Sequence, residues 1–307
     1  VHILDDGSAA GASRRKREIE HGPGAGTNKG CNAHHIVLSP APAHRTSARV
    51  PDLFDMKLRA MRRDRAARMG PELFVLERVF EDCLERIALL DRRFDRALLI
   101  GCPDSEWPER MASIAEQVDT CDPGRLFAQR AAGSVILENA WEPGPQACDL
   151  VLAIGTLDST NDLPLALRLI HYALSPDGLF IGALSGGETV PKLRAAMRAA
   201  DALTGIAVPH AHPRIEPSAL APLLEDAGFS RPVVDIERVA AGYTSLGRLV
   251  RDLRAMAATN VLASRPPPLT RRQWEAAARA FEKAAEDGRT IETFEIIHFA
   301  AWKTARR

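Results

Sequence analysis

The chain has 307 residues, is 46% hydrophobic and 26% charged, and carries 40 basic against 40 acidic side chains. That length suits one large domain with extensions, and the balanced charge leaves no global field to recruit nucleic acid or an anionic membrane. No apolar run approaches the roughly 20 residues that span a bilayer, no apolar segment with a cleavage site follows the start, and Cys31, Cys83, Cys102, Cys121 and Cys148 lie far apart without metal-type spacing. We therefore expect a cytoplasmic protein in a reducing compartment, without a disulfide framework, a structural zinc or a transmembrane segment.

Residues 1–50 mix Gly, Ala, Ser, Pro, His and Arg without apolar periodicity and read as a disordered tail. Its basic run, Arg14 to Arg17, is followed at once by Glu18 and Glu20 and has no aromatic neighbour, so it reads as solvated rather than as a nucleic-acid patch. Asp5 and Asp6 speak against a mitochondrial transit peptide. Residues 51–93 form two expected helices packing on a core. The first, around LFDMKLRAMRRDRAARM, places Leu53, Phe54, Leu58 and Met61 on one side. It reads either as a membrane-surface helix or as a helix laid across the domain with its arginines in water. Residues 72–90 continue as the second helix.

Residues 94–307 then alternate. Strands are expected at 96–100, 118–120, 134–137 and 149–154, with helices at 111–117 and 124–132 between them. Asn161 or Asp162 caps a helix that tolerates Pro164 in its first turn and lays Leu163, Ala166, Leu167, Ile170 and Leu174 on a sheet. Pro176, Asp177 and Gly178 stop it, and residues 179–183 return as a second buried strand after a right-handed crossover. Helices at 192–202, 218–227, 246–256 and 271–286 and strands at 233–239 and 293–302 complete the pattern. Such alternation indicates an α/β fold, a doubly wound, mostly parallel Rossmann-like sheet ending in antiparallel strands.

In open α/β sheets, ligands sit beyond the carboxyl ends of the strands. Four loops qualify. The first, 101–107, offers Gly101 for close backbone approach. Cys102 beside it reads as a nucleophile or as a buried structural thiol. In the second, Asp122 could accept both hydroxyls of a ribose or cap the next helix. The third holds Glu138 and Asn139, placed for an adenine amino group or else solvated, with Trp141 as an apolar wall. The fourth, 155–161, contains Asp158 and overlies the reacting end of any cofactor. Asp158 and Asp162 are the candidates for a general base, and both equally suit helix caps. His210, His212 and Glu216 resemble a facial metal triad in type, or polar residues of a proline-rich loop; we place no metal there.

The chain resembles the class I S-adenosylmethionine-dependent methyltransferases. Within them it is most similar to the group containing malonyl-carrier methyltransferases and the mitochondrial complex I assembly factor described as an arginine hydroxylase. The likeness rests on FDMKLRAMRRDRAAR, on NDLPLALRLIHYALSPDGLFIGALSGGET, on LLEDAGFSRPVVDIE, on LRAMAATN and on DGRTIETFEIIHFAAWK. It implies S-adenosylmethionine as cofactor, with Gly101 at the methionine moiety, Asp122 at the ribose, and Glu138 with Asn139 at the adenine. It implies a transferase whose acceptor is a protein or small molecule, a respiratory complex I subunit among them. Two departures fall on that face: Gly101, Pro103 and Ser105 replace a G-x-G-x-G turn, and Asp158 and Ser159 replace a His-Trp pair. The alternatives they raise are a non-catalytic assembly module that has lost the cofactor, and a protein-arginine hydroxylase.

Overall fold

Short apolar runs bounded by turn residues become the central strands of one sheet in the computed structural model, which describes residues 2–3 and 51–304. The tail expectation for 1–50 otherwise lies outside the described residues. Strands β1 (His2–Ile3), β2 (Phe94–Ile100), β3 (Ala115–Asp122), β4 (Ser134–Val135), β5 (Cys148–Ile154), β6 (Leu174–Ser185), β7 (Phe229–Tyr243) and β8 (Thr290–Lys303) are ordered β1-β7-β8-β6-β5-β2-β3-β4. The five from β4 to β6 pair in parallel; β8 joins β6 antiparallel, and β7 and β1 follow antiparallel. This is the expected doubly wound sheet with antiparallel C-terminal strands.

Helices cover both faces. On one, α2 (Phe74–Ala88), α6 (Pro191–Asp201), α8 (Leu246–Ala255) and α9 (Arg271–Glu282) bury Phe80, Ile87, Leu249 and Phe281 against β2, β5, β6 and β8. On the other, α5 (Leu163–Ala173) and α7 (Pro217–Asp226) contribute Leu167, Ile170, Leu220 and Leu224. Because β5 is buried on both faces, it reads as an unbroken apolar run. Register aligns the carboxyl ends of three strands: Ile100 pairs with Cys121 and with Ala153. Gly101, Asp122 and Gly155 therefore surround the switch point where strand order reverses.

Several boundaries differ from expectation. The helix expected at 111–117 is instead α3 (Trp107–Arg110) with a tight turn at Met111–Ser113, and β3 already begins at Ala115. Glu116 and Gln117 favour helix intrinsically, but pairing of Ala115 with Phe94 and of Gln117 with Arg96 overrides that preference. The strand expected at 134–137 shortens to two residues. α9 stops at Glu282, before a turn with Asp287 and Gly288 at positive φ. β6 begins as early as Leu174 and carries the Pro176–Gly178 turn in an irregular stretch opposite β5. No helix among the described residues is long and apolar enough to cross a membrane.

Candidate functional site

The first helix, α1 (Met56–Met69), starts where the Asp55 carboxylate accepts Leu58 N–H at 2.9 Å, and ends at Gly70, φ 83°. Its buried residues are Arg59, Arg63, Ala66 and Ala67, which fall at i, i+4, i+7 and i+8 on one face. This corrects the expectation that its arginines lie in water: two point inward, while Met61 is exposed. The alanines pack on Phe127 of α4 (Arg125–Arg130). At Gly124 the approach is so close that a Cβ would stand 2.6 Å from Cβ of Arg63.

The two buried arginines meet the two acids that a nucleotide site would use. Arg63 grips Asp122 through Nε at 2.7 Å and Nη2 at 2.5 Å, and reaches the Gly155 carbonyl at 3.2 Å. Arg59 grips Glu138 through Nη1 at 2.8 Å and Nη2 at 2.6 Å, and donates to the Thr156 carbonyl. Asp122 is 0% and Glu138 1% exposed. Burial pulls the Arg63 guanidinium down, but Asp122 and Glu138 more than offset this and hold it above its ordinary value. Burial likewise pushes Glu138 up, and Arg59 overcomes it, leaving the carboxyl below the usual range. Two fork-to-carboxylate pairs thus lie inside the domain, where loss of either partner strands a buried polar group.

These contacts decide the fit of S-adenosylmethionine. Asp122 accepts four hydrogen bonds, two from Arg63, one from Gly124 N–H at 2.6 Å and one from Cys102 N–H at 3.2 Å. No lone pair remains for ribose hydroxyls. Glu138 is buried rather than solvated, and Arg59 engages both its oxygens. Asn139 stands half-buried beside it, and Trp141 packs on the α5 side of the sheet. Gly101 serves the fold: at φ +86° a Cβ would lie 2.1 Å from the Ile154 carbonyl oxygen, and its N–H donates to Cys121 at 2.8 Å. Cys102 is buried, and burial followed by Asp122 raises its thiol to about 12, which removes it as a nucleophile at neutral pH. The residues present do not fit the cofactor.

The β5–β6 half of the cleft is different. Beside it lies a cavity of about 300 Å³ walled by Leu76, Leu193, Leu253, Trp274 and Phe294. Its polar end holds Asp158, which accepts Ser185 N–H at 2.6 Å and faces Arg214 at 3.5 Å. Burial raises the Asp158 carboxyl, against the pull of Arg214. Asp158 therefore caps no helix, whereas Asp162 does cap α5, accepting Leu165 N–H at 2.8 Å. Asn161 instead clamps the backbone of Phe54, at 2.8 and 3.0 Å.

His210 and His212 both reach this cavity but are spent separately. His210 Nε2 bonds Asp201 at 2.8 Å, and His212 Nε2 accepts Val261 N–H at 2.8 Å. Burial, then Arg214, Arg62 and Arg59, lower His212 to about 4. Glu216 is the residue before α7. Among the described residues no group of three or more His, Cys, Asp or Glu could hold a metal. Sequence reasoning missed Arg59, Arg63 and Arg214. The available signal for the first two was the alanine pair at 66 and 67, which marks the buried face of α1 and puts both arginines in line with it.

No protein-family model matches the chain. The mitochondrial Arginine-hydroxylase NDUFAF5 of Mus musculus is 31% identical over 290 residues, covering 87% of this chain and 82% of that protein. The same protein of Homo sapiens is 30% identical over 289 residues, with 87% and 82% covered. The Malonyl-[acyl-carrier protein] O-methyltransferase of Laribacter hongkongensis is 32% identical over 185 residues, 60% of either chain. Among solved structures, the YcgJ protein of Bacillus subtilis superposes with a TM-score of 0.50 at 10% identity, covering 72% of this chain and 97% of that one, which shows the shared fold.

Proposed function

Since the chain belongs to the family of the mitochondrial arginine-hydroxylase NDUFAF5 and carries a Rossmann-like methyltransferase fold, we propose that it is a non-catalytic assembly module whose protein partner is a subunit of respiratory complex I. The observation that carries this reading is the filling of the cofactor cleft by Arg59 and Arg63, which occupy every acceptor site of Asp122 together with two backbone N–H groups and engage both oxygens of Glu138. A fold can be retained while the site grafted on it is converted to another use.

In this reading residues 51–93 act as a strap on the domain formed by 94–307. The protein works in the cytoplasm; the free, buried Cys83, Cys102, Cys121 and Cys148 suit a reducing compartment. Deleting the chain from its host and measuring assembled complex I in the membranes tests the proposal. Loss of the assembled complex, restored by wild type and with every complex I arginine carrying the same mass before and after, is the expected result. Intact complex I in the deletion strain, or a hydroxylated or methylated arginine that disappears with the deletion, overturns it.

A further inference from the structure

The cavity beside β5 and β6 has apolar walls, and its own charges cancel: Asp158 and Arg214 face one another at 3.5 Å, and His210 is bonded to Asp201. At its rim the charges do not cancel. Arg62 and Arg65 stand one turn apart on the α1 face that meets α8, and Arg254 lies in the last turn of α8. Thr259 belongs to both places: it lines the cavity, and its hydroxyl accepts Arg65 Nη2 at 3.2 Å. The chain following Arg254, from Met256 to Asn260, is cavity wall throughout.

Among the described residues, Arg62, Arg65 and Arg254 form no ion pair; the nearby Asp55 is paired with Arg265 at 3.1 Å. Arg65 Nε is buried without a hydrogen-bond partner. Burial and then the neighbouring Arg65, Arg265 and Arg254 hold Arg62 below its ordinary value, as expected of guanidinium groups crowded together. In a chain of zero formal net charge, such crowding is local and costs stability. An anion at the rim would relieve it.

We infer that cavity and rim form one binding site for a single-chain anionic amphiphile, with the alkyl tail in the cavity and a carboxylate or phosphate head at Arg62, Arg65 and Arg254. The cavity volume lies at the lower end of the roughly 300–1,000 Å³ found for small-molecule sites, which suits a medium-length tail. Guanidinium forks match both head groups. Arg62 and Arg65 share α1 with Arg59 and Arg63, so the site belongs to the docked position of that helix.

The test is titration of the full chain with decyl phosphate, decanoate, decanol, inorganic phosphate and anionic vesicles, each amphiphile kept below its micelle concentration and followed by calorimetry and Trp274 fluorescence. Saturable one-to-one binding of decyl phosphate or decanoate, at least about tenfold tighter than decanol, is expected; the stronger of the two identifies the head group. Arg65→Gln with Arg254→Gln should abolish that tenfold advantage and leave decanol unchanged. Leu269→Phe, which narrows the cavity, should weaken all three amphiphiles. Equal affinity for decanol and the charged ligands would overturn the role of the rim. Inorganic phosphate binding as tightly as decyl phosphate would overturn the role of the tail, and binding to vesicles without uptake of monomers, or no saturable binding at all, would overturn the site.

Discussion

The two halves of the cleft share one sheet edge and opposite chemistry. At the ends of β2 and β3 and in the loop after β4, each buried carboxylate is already gripped by an arginine, with carbonyls of the β5 loop sharing the donors. Beside β5 and β6 the walls are apolar, the cavity is open, and Arg214 and Asp158 stand 3.5 Å apart, too far for a hydrogen bond. The same α/β scaffold therefore carries one half closed by its own helix and one half still able to receive a ligand. Ancestry is written in the scaffold; the use of the site is decided by which side chains α1 inserts.

That contrast is most severely tested where the closure is most buried. Arg63→Met strands Asp122 and should cost about 3–5 kcal/mol in urea unfolding. Combining it with Asp122→Asn should recover a large part, giving a coupling of about 2 kcal/mol or more in a double-mutant cycle. Additive losses would show that the pair does not close the cleft. A smaller effect concerns pH. His212, lowered to about 4, is neutral in the fold, so it binds a proton only after unfolding between pH 6.5 and 4. The stability tied to its neutral form is complete above 6.5 and lost as pH falls through about 4. Allowing for solvent screening, the loss should be roughly 2 kcal/mol, and His212→Asn should flatten that part of the profile.

Glu138 contributes in the same direction at lower pH, because its folded carboxyl lies below the usual range and its pairing with Arg59 fails on protonation. Glu138→Gln should remove the acid-dependent part while leaving the His212 part in place. Gly101→Ala places a Cβ against Ile154 at positive φ and should cost roughly 2 kcal/mol by thermal unfolding. Smallest is Asp55→Ala: loss of the α1 cap should lower the thermal midpoint less than any variant above. It should also speed hydrogen exchange across 56–69 more than across α5. Equal acceleration in both helices would mean that α1 is not an independently opening element.

The parallel half of the fold was legible because its strands are buried on both faces and need apolar residues throughout, as β5 shows. The crossover around Asp162 and Pro164 was legible because caps and proline have local causes. β3 was not, because its first half lies toward the sheet edge, where Glu116, Gln117 and Asp119 face water and carry no strand signal. In the site, the positions of Gly101, Asp122 and Glu138 followed from strand ends. Their partners did not, since Arg63 and Asp122, like Arg59 and Glu138, lie on separate segments and only the docking of α1 brings its arginines to the acids. An arginine that is solvated on one helix and buried on another has the same letter; the neighbouring alanines carry the difference.

Closure of the cofactor half by α1 is tested most directly by calorimetric titration of S-adenosylmethionine into the wild-type chain and into Arg59→Ala with Arg63→Ala. No saturable heat from wild type at millimolar ligand is the expected result, whether or not the variant gains binding. Micromolar binding by the wild type that is lost in Asp122→Ala would contradict it, because Asp122 would then have exchanged Arg63 for a ribose.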